Sequence, residues 1–213
     1  MGHTSLRRYT NLVATIQILR QQAMTLLNPE LWDDKNDSYG MRQYMNALGA
    51  RSVLALCFAE QHETYHHWKV FSSGHDGVCI QFNKDVLLGY FQDRVGIRSG
   101  VVDYREIRNM RTAPPLRDEL PFVKRFPYRD EKEFRLVYVD MQEKIGFKDF
   151  PIGLDCIERI NLSPWIPRSL ADSVRSTIRS IPGCSHMNVS RSTLVENDQW
   201  KKHLDRAVAP HEE

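Results

Sequence analysis

Several stretches of this 213-residue sequence place carboxylates, imidazoles and cations at spacings that can do chemistry. The first is Tyr128-Arg129-Asp130-Glu131-Lys132-Glu133-Phe134-Arg135, which runs straight into Leu136-Val137-Tyr138-Val139. In an extended chain Glu131, Glu133 and Arg135 project from one face, and Lys132, Phe134 and Leu136 from the other. Two carboxylates so close repel, which raises the pKa of one, whereas Arg135 keeps them ionised. Acid groups at the mouth of a buried strand suit a reaction in which positive charge develops, as when a glycosidic bond breaks through an oxocarbenium-like state. The same residues also read as an ion-pair ladder on an exposed edge strand.

The second is His62-Glu63-Thr64-Tyr65-His66, an HExxH spacing. On a helix it puts two imidazoles on one face for zinc, with the Glu as general base of a hydrolase. Its surroundings argue for a polar turn instead: an apolar run ends just before it and Ser72-Ser73-Gly74 breaks the chain just after. No third ligand is evident, and Lys69 stands where a metzincin has Gly. A metal is therefore not expected. The third is Leu6-Arg7-Arg8-Tyr9-Thr10-Asn11, a basic and aromatic strand or turn. An Arg can chelate a pyrophosphate and a Tyr can stack on a planar ring, although a chain start with a surface Arg pair reads the same way. The fourth is His66-His67-Trp68-Lys69-Val70-Phe71, whose aromatics either wall a pocket or belong to the core.

The elements that must carry these residues follow from periodicity. Leu12, Ile16, Leu19, Ala23 and Leu26 form one stripe, predicting a helix from Thr10 or Asn11 to Asn28-Pro29. Ser52 to Ala59 is an apolar run of strand length, covered on both faces. Gly77 to Phe82, Val101 to Ile107, Glu133 to Val139 and Cys156 to Leu162 read as further strands, and Asn83 to Gln92 as a short helix. Pro167 opens a helix striped by Leu170, Val174 and Ile178, and a last helix carries Trp200, Leu204 and Val208. The irregular order of helices and strands predicts an α+β fold with small antiparallel or mixed sheets, in one domain spanning residues 1–213.

Composition narrows the class of partner. Lys and Arg number 29 against 27 Asp and Glu, a net charge of +2 that is too small for a surface built throughout to hold a polyanion. The basic residues concentrate between Arg105 and Arg125, among Pro114, Pro115, Pro121 and Pro127, predicting an irregular basic loop over about 108–127 that either contacts a substrate or is a solvated connector. No apolar run is long enough for a membrane span. Met1 to Arg8 lacks the apolar core of a secretory signal, so a cytoplasmic location is expected, with Cys57, Cys79, Cys156 and Cys184 as reduced, buried side chains.

Taken in order, Leu6-x-x-Tyr9, Asn36-Asp37, Trp68, Gly77-Val78-Cys79-Ile80-x-Phe82, Lys124, Tyr128 and Glu131-x-Glu133-x-Arg135 form a series. It resembles the bacterial family catalogued as domain of unknown function 2971, from about Leu6 to Ser192. Arg7, Ser38 and Val70-Phe71 depart from that family's usual residues. The family in turn looks like a distant relation of ADP-ribosyltransferases of toxin–antitoxin and phage-defence systems. That resemblance implies NAD as substrate, lying in a cleft between two small antiparallel sheets. It implies Glu133 on the nicotinamide ribose and Glu131 orienting or deprotonating the acceptor. Arg8 would bind the pyrophosphate, with Tyr9, Trp68 and Arg135 completing the NAD contacts. RNA, DNA or a protein would be the acceptor at the basic loop, and a cognate antitoxin a partner. The alternatives are a ligand-recognition domain without catalysis and, more remotely, the zinc hydrolase.

Overall fold

A computed structural model describes residues 5–72 and 74–208. Met1 to Thr4 of the N-terminal reading and Ser73 of the chain break lie outside the described residues. The chain runs β1 (Ser5–Asn11), α1 (Leu12–Gln21), β2 (Ala23–Leu27), α2 (Lys35–Leu48), β3 (Ser52–Ala59), α3 (Tyr65–Phe71) and β4 (Gly77–Asn83). It continues with α4 (Lys84–Gly89), β5 (Ile97–Val101), β6 (Asp103–Arg105), α5 (Ile107–Thr112), β7 (Val123–Arg125) and β8 (Glu133–Asp140). The remainder is β9 (Phe147–Pro151), β10 (Ile157–Leu162), α6 (Arg168–Arg179), β11 (Val189–Arg191) and α7 (Asp198–Val208).

Among the described residues nine strands form one mixed sheet, and β6 and β7 a separate parallel pair. All neighbours in the large sheet are antiparallel except β10 and β11. Helices cover both faces, as the α+β expectation requires. Leu54, Leu56 and Phe58 of β3 point inward with Phe134, Leu136, Ile80 and Phe82, beneath Ile18 and Leu19 of α1, Leu87 of α4 and Ile178 of α6. On the outer face Val53, Ala55 and Val137 pack under Met41 and Tyr44 of α2. Farther along that face, Tyr9, Ala59 and Cys79 pack under Trp68 of α3. β3 is thus buried on both sides, which is why its sequence shows no polar alternation.

The sheet forks at β3. One edge pairs with β8 from Ser52 to Ala59 without interruption. The other edge is shared: β1 meets it at the Arg7–Ala59 pair, and β2 at the Leu27–Ala55 pair. Between them β1 turns away to follow β4 through seven consecutive pairs, Ser5–Asn83 to Asn11–Gly77.

The first helix is shorter than its stripe predicts. It is capped by Asn11, whose side chain accepts from the Ala14 amide at 2.8 Å, and it ends where Gln22 adopts left-handed backbone with φ 48°. Ala23 to Leu27 then form β2, because Met24 and Leu26 satisfy a strand's alternation as well as a helix's period. The region expected as an irregular loop is instead largely ordered into short pieces: α5, a 3₁₀ turn over Arg117–Phe122, β7 and a 3₁₀ turn over Phe126–Glu131. No helix among the described residues is long and apolar enough to cross a membrane.

Candidate functional site at the fork of the sheet

Between the part of the outer face covered by α2 and the part covered by α3, the strands carry charge instead of apolar side chains. Arg135, on β8 opposite Cys57, has no exposed surface. Its Nε donates to Glu133 Oε1 at 2.7 Å and its Nη2 to Glu133 Oε2 at 2.9 Å. Nη1 donates to Asp37 Oδ1 at 2.9 Å and to the Pro121 carbonyl at 2.9 Å, while Nη2 also donates to Asp37 Oδ2 at 2.5 Å. Five bonds occupy the five N–H groups of the guanidinium, so a buried charge is fully satisfied. The Trp32 ring lies 5.0 Å from its Cζ.

Lys124 is a second cation inside the cluster. The parallel pairing of β6 with β7 sets it beside Tyr104. Its Nζ donates to Glu131 Oε2 at 2.5 Å and Glu133 Oε2 at 3.2 Å, with Asp37 Oδ2 at 3.7 Å, beneath the Tyr128 ring at 4.9 Å. Tyr104 Oη accepts the Glu133 amide at 2.8 Å. Glu131 is not on the strand: it closes the preceding 3₁₀ turn, and Lys132, with φ 44°, carries the chain into β8. The two acids still converge, because Lys124 binds both.

Neither acid sits on an open rim. Glu131 is 7% and Glu133 5% exposed. Burial pushes the Glu133 carboxyl up, but the charge and hydrogen bonds of Arg135, helped by Lys124 and the Cys57 thiol, overcome this and hold its pKa at about 2. Glu131 goes the other way: burial and the neighbouring Glu133 charge raise it, opposed by Lys124. Burial lowers the Lys124 ammonium, yet the carboxylates around it leave its pKa raised. The two adjacent acids are thus shifted in opposite directions.

Arg8 completes the charge balance. Half-buried in the opening between β1 and β3, it donates through Nη1 to the Cys57 carbonyl at 3.0 Å. Among the described residues that is the side chain's one hydrogen bond, and no carboxylate lies within 4.0 Å of it. Burial lowers its pKa, while Cys57 and Glu133 raise it through space. The cluster therefore holds Asp37, Glu131 and Glu133 against Arg135, Lys124 and Arg8, of which Arg8 alone keeps donors to spare.

The other residues singled out in the sequence are placed as follows. Tyr9 stacks on His67 with centroids 5.3 Å apart and meets Trp68 edge-on, also at 5.3 Å. Trp68 has no exposed surface, and its Nε1 donates to Glu63 at 3.0 Å, so neither ring offers a face to solvent. The HExxH spacing does not lie on one helical face: Thr64 caps α3, which begins at Tyr65, so His62 precedes the helix that carries His66. Glu63 is engaged by Trp68 and by Ser192 Oγ. Among the described residues no three His, Cys, Asp or Glu side chains are arranged to hold a metal ion. Asp37, Lys124 and Cys57 join the cluster without having been singled out as site residues in the sequence.

No protein-family profile matches the sequence. No curated protein matches it either. Among solved structures the chain is similar to Thermus sp. 2.9 DarT in complex with carba-NAD+, at 13% identity and a TM-score of 0.46 over 90% of this chain and 97% of that one. It is similar to the same protein in complex with ADP-ribosylated ssDNA, at 13% identity and 0.46 over 89% and 94%. For the complex with NAD+ the values are 11% and 0.44 over 90% and 96%.

Proposed function

We propose that this chain transfers ADP-ribose from NAD to an acceptor at the fork of the sheet. The observation that carries the reading is the pairing of opposite tasks across it: Glu133, held ionised, lies within electrostatic reach of Arg8, a half-buried guanidinium with spare donors. Arg8 binds the pyrophosphate, for which a guanidinium fork is suited. The C1′–nitrogen bond of the nicotinamide riboside breaks, nicotinamide leaves with the electron pair, and Glu133 stabilises the cationic sugar. The acceptor's nucleophile bonds C1′, and its proton passes to Glu131, whose raised pKa makes it the stronger base of the two acids. Arg135 holds Glu133 in place, and Tyr9 and Trp68 form the packed wall behind β1. The acceptor, a nucleic acid strand or a protein, approaches over the exposed basic surface of Arg108, Arg111 and Arg117.

Nicotinamide release tests this directly, with single-stranded DNA, RNA and cell lysate supplied in turn as acceptor. Wild type releases nicotinamide, Glu133→Gln falls by roughly 100-fold or more, and Glu131→Gln loses transfer while still binding NAD. Absence of both NAD binding and release by the wild type overturns the proposal. One observation favours a second reading, ligand recognition without catalysis: both oxygens of Glu133 are already occupied by Arg135 and Lys124. That reading expects NAD to bind without turnover and Glu131→Gln to change nothing.

A further inference from the structure

Farther along the outer face, beyond α2, lies a cavity of about 100 Å³ whose lining includes Asn28, Glu30, Ser38, Arg42, Arg51 and Lys144. At roughly 30 Å³ per water it has room for about three waters, or for one phosphoryl group. Its neutral and acidic groups already have partners. Ser38 Oγ donates to the Pro29 carbonyl at 2.9 Å, and Asn28 Nδ2 donates to Glu30 Oε2 at 3.2 Å. Its cations do not: Arg42, Arg51 and Lys144 are exposed at its mouth, and among the described residues none of their side chains makes a hydrogen bond or lies within 4.0 Å of a carboxylate. Arg42 lies 5.8 Å from the Tyr39 ring, a contact that uses none of its donors. A neighbouring hollow shares Glu30, Ser38 and Arg42 and adds Lys35. Three cations against one carboxylate leave the cavity positive, with unused N–H donors of the kind that bind phosphate.

We infer that this cavity is a binding site for a phosphate dianion, either free or at the end of a nucleotide chain, gripped by Arg42, Arg51 and Lys144. The inference does not depend on the transfer reaction. The cavity reaches β3 at Ser52 and Val53, four residues from Cys57, so about 13 Å of extended strand separates it from the fork.

Calorimetric titration of the full chain at low salt, with circular dichroism to confirm folding, tests the site. The probes are inorganic phosphate, a 5′-phosphorylated single-stranded trinucleotide and the same trinucleotide without its phosphate. The expected result is saturable binding of a phosphorylated probe that weakens roughly 10-fold or more in Arg42→Gln or Arg51→Gln and vanishes when Lys144→Gln is added to both. Affinity for NAD should stay unchanged in these variants. A trinucleotide that outbinds inorganic phosphate and fails once dephosphorylated identifies a chain end as the source; equal affinity of the two phosphorylated probes identifies the free anion. Binding that is the same in wild type and the triple variant, or that ignores loss of the phosphate, overturns the proposal. A chain that binds phosphate here but neither binds nor consumes NAD keeps this site and loses the transfer reading.

Discussion

Arg8 Nη1 donates to the carbonyl of Cys57 at 3.0 Å, at the point on the β3 edge where β1 has left and β2 has not yet arrived. A side chain takes the place of a strand's amide, and the opening it spans is the candidate site.

Removing that side chain separates binding from folding. Arg8→Ala should weaken NAD at least 10-fold by calorimetry, while costing only about 1 kcal/mol of stability for the half-exposed carbonyl left without its partner. Arg8→Lys should recover the stability but little of the affinity, because an ammonium cannot chelate two phosphate oxygens as a guanidinium fork does. Unchanged NAD affinity in Arg8→Ala would remove Arg8 from the site.

Arg135 should behave oppositely. Arg135→Ala strands Asp37 and Glu133 in the interior and should cost about 3–5 kcal/mol, read from the urea midpoint. Arg135→Lys should rescue little of this, since three donors cannot replace five.

The cluster also sets an acid limb. Glu133 has a folded pKa of about 2, depressed from 4.5, so its contribution is present above the unfolded value and is lost as pH falls from 4.5 through 2. On the order of 3 kcal/mol should disappear over that interval. Glu131, whose pKa is raised, has the reverse sign and offsets part of the loss. Stability measured against pH should therefore show a shallower acid limb in Glu133→Gln, and a steeper one in Glu131→Gln.

His62 is exposed, and among the described residues its side chain makes a single hydrogen bond, with Arg7 Nη2 at 3.3 Å. His62→Ala should shift stability by less than about 0.5 kcal/mol, and the freshly purified protein should carry substoichiometric zinc, whatever residue occupies position 62. Stoichiometric zinc that His62→Ala abolishes would restore the hydrolase reading.

Helix α7 stands clear of the core, with Trp200 68% and Leu204 53% exposed. Trp200→Ala should change stability by less than about 0.5 kcal/mol, leaving the thermal midpoint close to that of wild type. A larger loss would mean that the helix packs against the rest of the chain in solution.

Much of the sheet could be read in advance, because β3, β4 and β8 are apolar where they are covered. Their predicted limits agree with the structure to within a residue at each end. The first helix was overextended because Met24 and Leu26 fit two periods. α2 went unread, though Met41, Tyr44 and Leu48 fall on one helical stripe, because Lys35 to Gly40 opens it with polar residues and a glycine. That stripe extends back to Asp37, an acid on a buried face, which is the one local sign that a distant cation must meet it. Alternation alone placed Glu133 and Arg135 on one face, as β8 shows, but it put Glu131 on the strand, whereas Glu131 ends the preceding 3₁₀ turn and meets Glu133 only through Lys124. Lys124 carried no such sign: its role comes from a parallel pairing of β6 with β7, a contact between distant segments that local pattern does not encode.

The five-bond saturation of Arg135 also polices how the chain assembles. Sliding β8 by one residue against β3 would turn Glu133 and Arg135 toward the hydrocarbon interior and Phe134 toward Asp37. Such a slip leaves Arg135 its two bonds to Glu133 on the same strand but forfeits the three to Asp37 and Pro121, and it buries the pair among hydrocarbon while stranding Asp37. The observed alignment is thereby favoured over its one-residue neighbour, so the same buried ion pairs that build the candidate site also select how two strands are matched.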